Sequence, residues 1–124
     1  MKKQINTKNA PAAIGPYSQG VSFGDLIFLS GQIPLNPKTG ELVKGITEET
    51  IQVFENIKAL LEESGSSFDK VLKCFVFLRD MNDFAAMNEV YARYFKEPYP
   101  AREAVQVAKL PKDVSVEISV ITTK

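Results

Sequence analysis

Histidine is missing from the 124 residues, and with it go Ser-His and Cys-His nucleophile pairs and every histidine-based metal site. Cysteine occurs once. Cys74 has no partner for an internal disulfide and, inside the apolar run Val71–Leu78, reads as a buried small hydrophobe. Neither sign of charge is in excess. The 15 Lys and Arg balance 15 Asp and Glu and are scattered instead of forming a basic stripe, so nucleic acid is not an expected partner. No window approaches the roughly 18 apolar residues of a membrane span. The start Met1-Lys-Lys-Gln-Ile-Asn6 lacks the apolar core of a secretion signal, so no membrane partner is expected and the cytoplasm is the expected location. Gly15, Gly20, Gly24 and Gly31 make no phosphate-binding fingerprint, and there is neither a Cys-x-x-Cys motif nor a pair of metal-binding carboxylates. Any catalysis must rest on other groups.

What is present describes a folded chain. Hydrophobic residues at 44% and charged residues at 24% are globular values, and the length suffices for one continuous core, so residues 1–124 are expected to form a single domain. Residues 6–20 carry Asn, Pro, Gly and Ala without periodicity and read as an ordered loop. Val21–Phe23 and Leu26–Leu29 flank Gly24-Asp25, a two-residue link suited to a tight hairpin. The stretch from Ser30 to Gly40 mixes turn formers with a short apolar pair and reads as surface loop. A first helix is expected from Thr47 as N-cap, with an Ile46/Ile51 staple, apolar positions Ile51, Phe54, Ile57, Leu60 and Leu61, and an exit at Ser64-Gly65. Val71–Leu78 is apolar on both faces and reads as a central strand. A second helix is expected from Asp80 or Asn82 to about Lys96, buried along Phe84, Met87, Val90, Tyr91, Tyr94 and Phe95. Ala101–Val107 and Val114–Ile121 close the chain as strands.

This order of elements suits a mixed sheet with both helices on one face, an α/β chain of the α+β type. Two helices cover one side only. The Leu26–Leu29 and Val71–Leu78 strands would leave an apolar patch on the other, which is expected to drive association of several copies about a shared axis.

Few residues are suited to chemistry. Arg102 opens a strand after Pro100-Ala101, where its planar guanidinium is suited to grip a carboxylate with two hydrogen bonds. Glu117 lies on the polar face of the following strand, and antiparallel pairing of the two strands would bring it to Arg102. The same spacing also describes an ordinary cross-strand salt bridge, the commoner outcome. Asn88 sits on the apolar side of its helix, where an amide needs partners, either structural or from a ligand. Tyr17 and Ser30 lie beside glycines in loops, where a hydroxyl is placed to donate to a substrate oxygen.

Three stretches, Asn9-Ala-Pro-Ala-Ala-Ile-Gly-Pro-Tyr-Ser-Gln-Gly20, Ser30-Gly-Gln-Ile-Pro-Leu-Asn-Pro-Lys-Thr-Gly-Glu-Leu42 and Pro100-Ala-Arg-Glu-Ala-Val-Gln-Val-Ala-Lys-Leu-Pro-Lys-Asp-Val-Ser-Val-Glu-Ile118, resemble the RidA (YjgF) family of reactive intermediate deaminases. The resemblance spans the whole chain. It implies a chorismate-mutase-like fold and a homotrimer whose sheets form a central β-barrel, with pockets in the clefts between subunits. It also implies that Arg102 binds a substrate carboxylate, that Tyr17, Ser30, Gly31, Asn88 and Glu117 complete the pocket, and that backbone groups around Ala104 contact the imine nitrogen. The implied reaction needs no cofactor. It hydrolyses 2-aminoacrylate or 2-aminocrotonate, released by pyridoxal-phosphate-dependent Ser/Thr dehydratases, to 2-oxo acids and ammonia. Two positions depart from the pattern: Glu103 stands where many members have a small residue, and Ala104 where many bacterial members have Cys. Glu103 bears on substrate preference, through repulsion of an acidic substrate or pairing with a neighbouring Lys. Relatives have also been assigned 2-oxo-acid-binding regulatory roles and endoribonuclease activity. Neutral charge, absent His and the lack of an aromatic-basic platform argue against the last.

Overall fold

A computed structural model describes residues 1–124. Six strands, β1 (Lys3–Ile5), β2 (Gly20–Phe23), β3 (Leu26–Leu29), β4 (Val71–Leu78), β5 (Ala101–Gln106) and β6 (Val116–Thr123), form one mixed sheet in the order β1-β2-β3-β6-β4-β5. Two helices, α1 (Ile46–Glu63) and α2 (Phe84–Tyr94), pack together and against one side of it. The expected hairpin is present, with Phe23 opposite Leu26 and Gly24 in the left-handed region that its turn requires. β1 had no expectation. Three residues of which only Ile5 is buried carry too little periodicity to mark a strand.

α1 differs at its start. Gly45 takes the N-cap position in place of Thr47, and no side chain caps it directly. Instead the Glu49 carboxylate reaches back to accept the Gly45 N–H at 3.1 Å, and its other oxygen accepts the Ser115 N–H at 2.8 Å. With Ile46 as the first helical residue, the Ile46/Ile51 pair does not have the spacing of a staple. The exit is as expected: Ser66 N–H reaches the Leu61 carbonyl at 2.8 Å and Gly65 N–H the Glu62 carbonyl at 3.2 Å, a Schellman ending on left-handed Gly65. α2 is preceded by a tighter turn over Met81–Asp83, whose start is capped by Asp80 accepting from Asn82 N–H at 2.9 Å.

One core joins the sheet to the helices. Ile27, Leu29, Cys74, Val76, Leu78, Val116, Ile118 and Val120 point toward Val53, Phe54, Ile57, Leu60, Met87 and Val90. Phe54 stacks on Tyr94 with ring centroids 4.7 Å apart and meets Phe68, Tyr91 and Phe95 edge-on, so the helices are locked by aromatic contacts. The alternate residues face the other way. Phe23, Leu26, Phe28 and Val105 are exposed there, at 60%, 42%, 41% and 47%, beside half-buried Phe75, Phe77 and Ile121. The uncovered face is therefore as apolar as the sequence predicts.

The end of the chain is connected differently from expectation. β5 and β6 do not pair. β4 lies between them, parallel to β5 and antiparallel to β6, with Cys74 opposite both Arg102 and Val120, and Phe77 opposite Glu117. A strand apolar on both faces is best sheltered inside the sheet. The turn at Pro111–Asp113, with Lys112 and Asp113 in the left-handed region, carries the chain across it.

Candidate functional site

The seven residues singled out from the sequence fall into two groups on opposite sides of the sheet. Arg102, Asn88 and Ala104 lie on the helix side at the β5 edge, whereas Glu117 projects from the uncovered side with Gly31 against its carboxylate, and Ser30 and Tyr17 line cavities next to Gly31. The expected cross-strand meeting of Arg102 and Glu117 within the chain does not occur, nor do they form a salt bridge. The cause is the intervening β4, which puts the two residues two strands apart and on opposite faces.

Arg102 is held without a counter-ion. Its Nη1 donates to Asn88 Oδ1 at 2.6 Å, and its guanidinium carbon lies 4.6 Å from the Tyr91 ring centroid and 5.4 Å from that of Phe84. Asn88 and Tyr91 are one helical turn apart on α2, so one face of that helix supplies both contacts. Asn88 thus spends its oxygen on the guanidinium. A cavity of about 420 Å³ opens here, lined by Asn88, Tyr91, Ala92, Tyr99, Pro100 and Arg102. A cation with no carboxylate beside it, facing a cavity with aromatic walls, is set up to receive an anion.

β5 is also the edge of the sheet, so half its peptide groups lack a partner strand. The Val107 N–H donates inward to the Leu78 carbonyl at 3.0 Å. Alternation along a parallel ladder then turns the peptide groups of Arg102 and Ala104 outward, beside the guanidinium.

The second group is built on loops pinned by buried amides. Gln19, 2% exposed, accepts the Thr7 N–H at 2.7 Å and donates to the carbonyls of Thr7, Ala10 and Pro11 at 3.1, 3.3 and 2.7 Å. This fixes the loop that carries Tyr17, whose exposed ring lines two adjoining cavities of about 350 and 260 Å³. Asn56 likewise ties the following loop through the Ile33 and Leu35 carbonyls at 3.1 and 2.9 Å. Ser30 shares the first cavity with Tyr17, but its hydroxyl donates to the Ser18 carbonyl at 2.6 Å. Gly31 shares the second, and a side chain built on it would collide with the Glu117 carboxylate. Backbone bonds between Gln32 and Ile118, 2.8 and 3.2 Å, hold that approach. Glu117 is half-buried and makes no hydrogen bond or ion pair in the chain, and burial pushes its carboxyl above the usual carboxylate range.

Sequence reading missed Gln19, Tyr91 and Tyr99 as parts of this arrangement. Tyr91 was legible only as a core position of a helical stripe, and Gln19 only as a loop residue beside glycine. Glu103 lies across the sheet from Arg102, paired with Lys73 Nζ at 2.9 Å on the uncovered side. A larger cavity, about 580 Å³, contains none of the seven residues, and its Glu49 and Arg79 are already bound to backbone groups and to Ser115.

Fold and site together describe a small α+β chain with a six-stranded mixed sheet, two helices, and an arginine without a counter-ion separated from a half-buried carboxyl group. A family model described as Endoribonuclease L-PSP matches residues 7–124. The chain belongs to this family, the RidA/YjgF family. A RutC family protein of Pyrococcus horikoshii is 59% identical over 125 residues, covering 100% of this chain and 99% of that one. The 2-iminobutanoate/2-iminopropanoate deaminase of Escherichia coli K12 is 48% identical over 127 residues, covering 100% and 99%. Among solved structures, a putative endoribonuclease of Thermotoga maritima superposes with a TM-score of 0.97 at 52% identity, covering 100% and 98%. E. coli TdcF with bound serine superposes with a TM-score of 0.94 at 47%, covering 98% of each chain.

Proposed function

We propose that the protein hydrolyses small enamine/imine acids of the 2-iminopropanoate and 2-iminobutanoate kind to 2-oxo acids and ammonia. Its working form in this reading is a cytoplasmic homotrimer whose uncovered sheet faces meet as a central barrel. The observation that carries the reading is the counter-ion-free Arg102 at a cavity wall, an anchor for one carboxylate. Two relatives support it: the E. coli protein named as an imine deaminase, and TdcF, whose bound serine carries such a carboxylate.

The two half-sites cannot meet within one chain, so the reading requires copies to complete each other. Arg102 of one copy and Glu117 of the next face a shared cleft. The apolar face, with Phe23, Leu26, Phe28 and Val105 exposed, supplies the reason to associate. In that cleft Arg102 binds the acid, and the outward peptide groups near Ala104 meet the imine nitrogen. Glu117 removes a proton from water as its oxygen bonds to the C=N carbon, while the nitrogen gains a proton. Glu117 then passes that proton to the carbinolamine nitrogen, the C–N bond breaks to release ammonia, and the hydroxyl proton returns to the solvent that protonated the imine nitrogen, leaving the carbonyl of the 2-oxo acid. Imines hydrolyse in water unaided, so orienting one water on a fixed acid lowers a modest barrier, with no cofactor in the scheme.

The reading is tested by following ammonia release from enamine freshly generated by a Ser/Thr dehydratase. Acceleration over the spontaneous decay is expected. A 2-oxo-acid-binding module would instead bind 2-oxobutyrate and leave the decay rate unchanged. We favour the small acid over RNA because the chain is neutral and Arg102 stands alone among aromatic walls, without the row of cations that a phosphate backbone needs. Gly31 supplies a further check. Gly31→Ala is expected to displace the Glu117 carboxylate, lowering kcat about tenfold or more with little change in stability, because the end of a flexible side chain gives way, read from turnover and a thermal melt.

A further inference from the structure

We propose that Tyr91 is a positioning residue for Arg102, acting through the face of its ring. The inference rests on the deaminase reading and extends it to a residue that acts through Arg102. Tyr91 is 6% exposed, and its hydroxyl is wholly buried with no hydrogen-bond partner. The Cys74 thiol lies alongside it but outside hydrogen-bond geometry. A phenol so enclosed cannot reach a ligand in the Arg102 cavity, and leaving it unpaired costs stability. The ring itself does meet the charged group, with the guanidinium carbon 4.6 Å above its centroid.

The ring is itself held in place. Phe95 lies 4.6 Å away at 37° and Phe54 5.8 Å away at 72°, so the face offered to Arg102 has little freedom to turn. Nη1 is fixed at the same time by Asn88 Oδ1 at 2.6 Å, one turn earlier on α2. Two contacts of different kinds, a flat face and an in-plane acceptor, define the guanidinium plane and leave its remaining donors for an anion. The faces of Tyr and Phe rings attract a cation about equally, so the ring and not the buried hydroxyl carries the contact.

The test varies ring electronics at nearly constant shape. Tyr91 is replaced by Phe and then by 4-fluoro-, 3,5-difluoro- and 3,4,5-trifluorophenylalanine in the full chain. KM for the imine acid is expected to stay close to the wild-type value for Phe and then to rise stepwise with fluorination, to more than tenfold for the trifluoro ring, because each fluorine weakens the negative face. kcat is expected to stay within about twofold, since a loosened anchor weakens substrate and transition state alike. Tyr91→Phe should also raise Tm, because the unpaired hydroxyl is gone. A flat KM across the series, whatever happens to Tm, overturns the proposal and leaves Tyr91 a packing residue. If the unaltered protein neither accelerates imine loss nor binds 2-oxobutyrate, the deaminase reading has failed. The positioning claim is then read from the Arg102 guanidinium resonances in ¹⁵N NMR. Slow rotation and slow exchange that are lost along the series support it, and unchanged resonances contradict it.

Discussion

Arg102→Ala is expected to lower kcat/KM for a small imine acid by about a thousandfold while leaving the fold intact. Two charge-assisted hydrogen bonds from one guanidinium to a carboxylate are together worth about 4 kcal/mol, and each 1.4 kcal/mol is about a factor of ten. Most of the loss should appear in KM, because the anchor acts before and during reaction alike. Stability should fall little. Arg102 has no ion pair to lose, only one hydrogen bond to Asn88 and its contacts with the rings of Tyr91 and Phe84. Arg102→Lys keeps the charge but not the fork or the flat face, so it should recover only part of the activity. Initial rates of ammonia release and a thermal melt on the same samples check both statements.

Glu117→Gln should act on the other constant. Removing a general base costs about 10²–10⁴ in kcat, here with KM little changed because the carboxylate anchor remains on Arg102. The active form of Glu117 is the carboxylate, so the wild-type rate should fall as pH drops through its folded-state pKa, and Gln should flatten that limb. Burial sets this limb above the usual carboxylate range, and a guanidinium brought from a neighbouring copy pulls it back down. Without Arg102, the carboxyl titration of Glu117 should therefore move to higher pH. Stability is expected to change in the opposite sense to activity. A carboxyl whose folded pKa is raised stabilises the fold below the unfolded value, about 4.3, and that contribution is lost as pH rises through the folded one. In an Arg102→Ala background, where burial alone acts, Glu117→Gln should thus raise Tm at neutral pH, with the gain fading in acid.

Much of the architecture was legible because it rests on local rules. The Gly24 turn, the Ser64-Gly65 exit and the two-faced apolar Val71–Leu78 strand are each specified by a few neighbouring residues. The start of α1 was not, because Glu49, not Thr47, satisfies it while also holding Ser115, a residue 66 positions away. Strand order failed for the same kind of reason. Nothing local to Ala101–Thr123 announces that β4 inserts between β5 and β6, yet that insertion decides that Arg102 and Glu117 turn to opposite faces. The residue types of the site were therefore readable, with Arg102 after Pro100-Ala101 and Glu117 on a polar strand face. Their separation into two half-sites was not, nor was the role of Tyr91, whose apolar spacing looks the same whether it packs a core or carries a cation.

The account stands on Arg102 and Glu117 completing one site from two different copies, and mixing inactive proteins tests this directly. Arg102→Ala and Glu117→Gln chains, each nearly inactive, are unfolded together in equal amounts and refolded. In a ring of three, any mixed assembly holds one site with both native groups, so about a quarter of wild-type activity should return for random mixing. Refolding each variant alone should restore none. If the mixture is no more active than its separate components while size measurement shows mixed assemblies, the two residues do not share a site and the proposed chemistry is wrong.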